Sequence, residues 1–383
     1  MSENENESKR PIAVDRRRRQ VLCATGGGII ASAFGGLLTT AAQDARAQGA
    51  PVVRWGIVGT GSIANWMASA IQSTPLAELA AVSSRKMESA NAFANKHGAG
   101  RGFDSWLEMA SWDGVDATYV ATPTSVKEEI CVVAANQGKH VLGEKPFASL
   151  ASLQQITGAC RENGVGFMDG THFVHHPRTA AIQSSIAKKV GSPWSVASAF
   201  QFNLTDRGNI RFNPLLEPLG AIGDAGWYNM RAAVEYLSPE IGLRSVNAYL
   251  RRDAETGAAI SGSGILVFDD DSTSTWNCGF DSGAVVMDLR ISGAEGSINI
   301  DNFLSQDPDG SASYLHRAGG WGPNAAAETV RVASPLPGAA LMFEDFAALV
   351  RDVSLRERWM HASERTQGLL DAVWNDAVMN ERG

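Results

Sequence analysis

Residues 52–64 read VVRWGIVGTGSIA. Val52 to Val58 is a short apolar run, the pattern of a parallel strand buried on both faces. Gly59-Thr60-Gly61-Ser62-Ile63-Ala64 follows as G-x-G-x-x-A, and a helical stretch continues to about Ser73. In such a turn Gly59 permits the tight bend and Gly61 lets the backbone approach a pyrophosphate. Ala64 allows the helix to pack closely on the sheet. The first helical turn, with Ser62 and Ile63, presents free N–H groups to phosphate. An ordinary glycine turn also fits these small residues, but the position between a strand and a helix is the context that marks a dinucleotide site.

A second strand falls at Leu79 to Ser83. At its end an acidic side chain would grip the ribose 2′-OH of NAD. This chain has Ser84-Arg85 there, a hydroxyl and a guanidinium suited to a 2′-phosphate. NADP(H) is favoured and NAD(H) remains possible, since Arg85 stacked on the adenine would not discriminate. Further strands at Ala117 to Ala121 and His140 to Leu142 each follow helical sequence. Alternating β and α over residues 52–145 indicates a doubly wound parallel sheet.

After Gly170 the pattern changes. Trp194 to Asn203, Val246 to Arg252, Gly264 to Phe268, Ser272 to Phe280, Val285 to Ile291 and Ser297 to Ile300 read as strands, several separated by Gly/Asp/Ser turns. They predict a mostly antiparallel open sheet. Residues 307–338, rich in Gly, Pro, Ala and Ser, read as a long loop. Leu341 to Val353 and Ser363 to Met379 read as closing helices. The expected class is α/β plus α+β: a Rossmann domain over 48–170, a substrate and oligomerisation domain over 171–338, and closing helices over 339–383.

Residues 1–47 stand apart. They hold seven of the 33 Lys/Arg and five of the 41 Asp/Glu, which leaves 26 basic against 36 acidic side chains in the remainder, a balance of −10. An acidic body argues against binding a phosphate backbone, so no nucleic-acid partner is expected. Arg16 to Arg19 precede the uncharged Val21 to Ala42, and Ala45-Arg46-Ala47 is an A-x-A cleavage site. Arg18-Arg19-Gln20-Val21-Leu22 resembles the twin-arginine export motif. A signal peptide and periplasmic residence follow, with the export machinery as a partner and no membrane association after cleavage. An uncleaved anchor is the alternative. Cys131, Cys160 and Cys278 are widely spaced, odd in number and lack C-x-x-C, which argues against a disulfide framework or zinc site and for buried thiols.

Three further runs accumulate: Asp116-Ala-Thr-Tyr-Val-Ala-Thr-Pro123, Gly138-Lys-His-Val-Leu-Gly-Glu-Lys-Pro146 and Gly223-Asp-Ala-Gly-Trp-Tyr228. With the glycine turn they resemble the glucose-fructose oxidoreductase/inositol dehydrogenase/MocA (Gfo/Idh/MocA) family across residues 52–383. The resemblance implies that Thr122, Pro123, Glu144 and Lys145 join Gly59, Gly61, Ser62, Ile63, Ser84 and Arg85 in lining the cofactor. It also implies an open C-terminal sheet that supports a homodimer or homotetramer. Many relatives carry His four residues after the Thr-Pro proline; here it is Lys127.

Asp224 and Tyr228 share one face if Ile222 to Tyr236 is a helix. The resemblance puts that helix beside the nicotinamide, opposite Lys145. Hydride transfer at a sugar carbon moves a proton at its oxygen, and a phenol near pKa 10 needs a neighbouring cation to act as a base. Lys145 would supply that charge or handle the proton itself. Asp224 would hold a substrate hydroxyl or orient Lys145. Tyr228 as a buried helix tyrosine and Asp224 as an N-cap are the structural alternatives. His172 and His176, on one side of an extended segment, are expected to line the substrate pocket rather than hold metal. Trp227 is a candidate platform for a pyranose.

These features imply an NADP(H)-dependent oxidoreductase for a sugar or cyclic polyol, with a cofactor that could stay bound and be recycled. Two other functions are compatible with the family. One is glycoside hydrolysis through transient oxidation by bound NAD. The other is non-catalytic sugar sensing.

Overall fold

The computed structural model describes residues 52–237, 241–320 and 326–381. The leader expected over 1–47 lies outside the described residues. Strand β1 (Val53–Val58) is followed by α1 (Ser62–Gln72), β2 (Ala77–Ser83), α2 (Met87–His97), β3 (Arg101–Phe103) and α3 (Trp106–Ser111). Then come β4 (Ala117–Val120), α4 (Thr124–Asn136), β5 (His140–Gly143), α5 (Leu150–Glu162) and β6 (Phe167–Asp169). The six strands form one parallel sheet in the order β3-β2-β1-β4-β5-β6. The order reverses between β1 and β4, so the crevice above their C-terminal ends is where such sheets bind ligands.

The second layer begins with α6 (Pro177–Lys189) and β7 (Pro193–Asn203), then α7 (Gly220–Asp224) and α8 (Gly226–Tyr236). Strands β8 (Leu243–Arg252), β9 (Ala259–Phe268), β10 (Thr273–Gly279), β11 (Asp281–Val286), β12 (Leu289–Gly293), β13 (Ser297–Ile300), β14 (Ala312–Ala318) and β15 (Ala326–Val332) complete it. The nine-stranded sheet runs β15-β14-β13-β12-β7-β10-β9-β8, with β11 beside β7. Only β7 and β10 pair in parallel among its strands. Helices α7 and α8 cover one face and carry the site.

Four expectations are corrected. Residues 307–338 are not a single loop, because β14 and β15 pair through seven consecutive positions. Backbone hydrogen bonds, with only Ala312 and Tyr314 buried on β14, hold this polar edge where composition suggested coil. Val285 to Ile291 divides into β11 and β12, since Met287 leaves the ladder to bridge Asn302. Ile222 to Tyr236 divides into α7 and α8 at Ala225. His172–His175 is a 3₁₀ turn, not an extended segment.

Helix α9 (Gly338–Arg351) returns to the first sheet, where Phe343 and Phe346 pack on Trp55 at ring-centroid separations of 4.9 and 4.6 Å. Helix α10 (Arg356–Asn380) lies against β6, α8 and β8. Asp169, at the end of β6, accepts from Arg231 on α8 at 2.7 Å and from Ser363 on α10 at 2.6 Å. This buried network ties the helix bearing Tyr228 to the parallel sheet. Cys131, Cys160 and Cys278 are free and buried. Among the described residues no helix is long and apolar enough to cross a membrane, and no group of three or more His, Cys, Asp or Glu could hold a metal ion.

Candidate active site

Gly59 has φ +107°, and a Cβ there would stand 2.9 Å from the Ala121 carbonyl oxygen. Only glycine meets both demands without strain. Gly61 has φ −73° and ψ −176°, ordinary extended backbone, with nothing within 4 Å of where a Cβ would stand. It is the N-cap of α1, and no side chain caps that helix, so its first N–H groups remain for a ligand. Ser62 and Ile63 form the first turn. Asn65, which sequence reading passed over, donates from Nδ2 to the carbonyls of Thr60 (3.3 Å) and Gly61 (2.9 Å). Its Oδ1 is held by Lys96 at 2.7 Å and His97 at 2.8 Å. The turn is thus braced from behind.

Ser84 and Arg85 follow β2 directly. The Ser84 N–H donates to the Phe103 carbonyl at 3.0 Å, while Arg85 extends into solvent. Ser83 Oγ and Thr122 Oγ1 are buried without a hydrogen-bond partner. Buried hydroxyls normally find one. These two orphans, at the end of β2 and just beyond β4, fit a polar ligand lying along the crevice, as a dinucleotide would. Pro123 is the N-cap of α4. The Glu144 side chain turns inward, accepting from the Tyr119 hydroxyl at 2.5 Å, and burial raises its pKa.

Lys145 Nζ donates to both Oδ1 and the main-chain oxygen of Asp224, each at 2.8 Å. The helix break makes the second bond available: the Tyr228 N–H bonds the Ala225 carbonyl at 3.2 Å. Lys145 Nζ also lies 4.7 Å from the Tyr228 ring centroid. Arg211, from the 3₁₀ turn Ile210–Phe212, grips the other face of Asp224, with Nε 2.7 Å from Oδ2 and Nη2 3.3 Å from Oδ1. No local signal in the sequence pointed to it. Burial opposes ionisation of Asp224, but Lys145 and Arg211 overcome it and hold the carboxyl well below its usual range. Burial likewise works against the Lys145 ammonium, and Asp224 outweighs it, keeping the lysine charged. Burial pushes the Tyr228 phenol up to about 12, although Lys145 acts in the opposite direction.

Lys127 lies four residues after Pro123, on α4. Its buried Nζ donates to the Pro146 carbonyl at 2.5 Å, bracing the turn behind Lys145, and burial pushes its pKa down to about 8. His172 is half-buried. Its Nε2 contacts the Leu304 carbonyl at 3.2 Å, which assigns the proton to Nε2 and leaves Nδ1 an acceptor. Burial pushes its pKa down to about 4. Its ring meets Tyr228 edge-on at 5.9 Å and the exposed Trp66 at 5.0 Å.

Two predicted pocket residues are corrected. His176 caps α6, with Nδ1 accepting from the Arg178 N–H at 3.0 Å and Nε2 bonding Gly310 O at 3.0 Å, so neither nitrogen is left for substrate. Trp227 is fully buried, packs on Phe147 at 5.8 Å and donates to Thr171 Oγ1 at 2.6 Å. It lies about 100° around the helix from Tyr228 and faces the core, so it cannot stack on a sugar.

Parallel sheet, glycine turn and the Lys145–Asp224–Tyr228 cluster together define a two-domain, dinucleotide-dependent oxidoreductase. Residues 53–171 match the Gfo/Idh/MocA model, described as an oxidoreductase family with an NAD-binding Rossmann fold. The dTDP-3,4-didehydro-2,6-dideoxy-alpha-D-glucose 3-reductase of Streptomyces violaceoruber is 31% identical over 258 residues, covering 66% of this chain and 74% of that protein. The scyllo-inositol 2-dehydrogenase (NADP(+)) of Bacillus subtilis is 26% identical over 321 residues, 79% of this chain and 90% of that one. A 3-ketoreductase from Actinomadura kijaniata, solved with NADP and TDP-benzene, superposes with a TM-score of 0.77 at 25% identity, covering 85% of this chain and 98% of that one. The chain belongs to the Gfo/Idh/MocA family.

Proposed function

We propose that the protein is an NADP(H)-dependent oxidoreductase acting on a carbonyl or hydroxyl of a sugar or cyclic polyol. The observation that carries this reading is the buried contact of Lys145 with both Asp224 and the Tyr228 ring, beside the strand ends that form the nucleotide crevice. The bound nicotinamide supplies or accepts the hydride. Lys145, kept charged by Asp224, polarises the substrate oxygen. Tyr228, a neutral phenol at pH 7, gives a proton to that oxygen. His172, as a neutral acceptor, orients a neighbouring hydroxyl through Nδ1. With both Lys145 and Tyr228 carrying protons at neutral pH, the site suits carbonyl reduction. The backbone of Gly59 and Gly61 with the start of α1 receives the pyrophosphate, and Ser84 and Arg85 receive a 2′-phosphate.

The preference for NADP(H) is supported by Ser84-Arg85 and by the cofactor named for the Bacillus relative and the Actinomadura structure. Export by the twin-arginine route, with cleavage near Ala47 and periplasmic residence, is supported by Arg18-Arg19 and the uncharged run after them. Assembly into a homo-oligomer through the second sheet is supported by the exposed Trp194, Tyr249 and Val285 on its strands. Glycoside hydrolysis and sensing gain no support from relatives named as reductases and dehydrogenases.

A panel of ketoses, aldoses and inositols with NADPH and with NADH tests the function, followed at the reduced-nicotinamide absorbance. Turnover with NADPH on at least one carbohydrate is expected. Inertness across the panel, in protein shown to bind NADPH, would refute the reading.

A further inference from the structure

We infer that Arg211 is a positioning residue of the hydride-transfer site: it fixes the carboxylate that holds Lys145 and offsets the negative charge that Asp224 and Glu144 place around Tyr228. The inference rests on the hydride-transfer reading above.

The geometry is specific. Asp224 Oδ1 accepts from Lys145 at 2.8 Å, and the Arg211 guanidinium meets the same carboxylate side-on, through Nε to Oδ2 at 2.7 Å and Nη2 to Oδ1 at 3.3 Å. The terminal torsion of an aspartate is soft. A two-point grip sets the carboxylate plane and thereby the direction in which Oδ1 faces Lys145. With both oxygens engaged, Asp224 is an anchor rather than a base.

The guanidinium is itself fixed. The Arg211 N–H donates to Asn209 Oδ1 at 3.1 Å, and Phe212 is buried against Phe280. Further along the segment, Glu217 accepts from the Thr124 N–H at 3.1 Å and the Thr124 hydroxyl at 2.6 Å, and the Leu216 carbonyl accepts from Ser125 at 3.1 Å. One stretch of chain therefore spans from the anchoring carboxylate to the start of α4, next to the cofactor turn Thr122-Pro123. Arg207, four residues earlier, shows the contrast: it is half-exposed and pairs with Asp253, away from the cluster.

Charge gives Arg211 a second role. Lys145 and Asp224 together are neutral. Glu144 adds a further carboxylate near Tyr228, and Arg211 offsets it where negative charge builds on the phenol as its proton leaves. Such a charge favours the transition state more than the ground state.

The test is steady-state kinetics of Arg211→Ala, Arg211→Gln and Arg211→Lys with the sugar found by the panel, alongside NADPH affinity and thermal midpoint. Arg211→Ala and Arg211→Gln should lose kcat on the order of tenfold or more. KM and NADPH affinity should stay within about twofold. Arg211→Lys should regain part of kcat, and guanidinium chloride below denaturing concentration should partly rescue Arg211→Ala. Unchanged kcat in Arg211→Gln would overturn the inference. So would an effect confined to KM, which means direct substrate binding, or a loss in Arg211→Ala that guanidinium leaves untouched, which means a merely structural role. A wild-type enzyme inert on the panel would sink the function itself; an active wild type with an indifferent Arg211→Gln would sink only this inference.

Discussion

Replacing Gly61 by alanine should separate folding from cofactor binding. Its backbone angles suit any residue, and an added Cβ would meet nothing within 4 Å. Reduced unfolded-state entropy favours alanine by about 0.4–1 kcal/mol, and the weaker N-cap preference of alanine offsets part of this. Stability should therefore change by less than about 1 kcal/mol. The open space is where the pyrophosphate has to approach. A methyl group there blocks a charge-assisted N–H contact worth about 1.5–3 kcal/mol, so the NADPH Kd should rise on the order of ten- to a hundredfold. Gly59→Ala is the contrasting control. Its φ of +107° and the 2.9 Å approach to Ala121 O should cost about 1–3 kcal/mol of stability before any ligand is added. Urea unfolding of the ligand-free proteins and calorimetric titration with NADPH measure both quantities. Normal NADPH affinity in Gly61→Ala would refute the placement of phosphate against this backbone.

Arg85→Ala should weaken NADPH binding about tenfold or more while leaving NADH nearly unaffected, measured by parallel titrations. Trp227→Phe should lower stability by about 1–3 kcal/mol, through the lost bond to Thr171 and the cavity left behind, with KM for the sugar unchanged. Acid should weaken the fold through Asp224: its folded pKa is depressed, so its stabilising contribution is complete above the ordinary aspartate value of about 4 and drains as pH falls further, less steeply in Asp224→Asn. Alkali acts through Tyr228, whose folded pKa is raised to about 12. That contribution is present below the unfolded value of about 10 and is lost as pH rises toward 12, so Tyr228→Phe should flatten this limb of a stability–pH curve.

The glycine turn made the parallel sheet legible, because strand, turn and helix there are consecutive in sequence. Lys145, Asp224 and Tyr228 were visible as candidates through local runs, and the structure brings them together. Arg211, Asn65 and Glu217 were not visible: each reaches its partner by tertiary folding, and single polar residues in loops carry no periodic signal. Adjacency misled at Trp227, since neighbours on a helix face different directions. His176 was misplaced because the 3₁₀ turn rotates it away from the side that an extended segment would give. The strands β14 and β15 were hidden by composition, since a polar sheet edge is held by backbone pairing rather than by an alternating apolar face.

In the proposed reaction Tyr228 delivers the proton at the substrate oxygen beside a charged Lys145. Single-turnover reduction by pre-bound NADPH, comparing wild type with Tyr228→Phe, tests it most directly. The phenyl ring preserves the packing on Phe200 and His172 and removes only the hydroxyl. Loss of the proton donor should lower the hydride-transfer rate by about a hundredfold or more, with NADPH affinity intact. A rate within about twofold of wild type would contradict it.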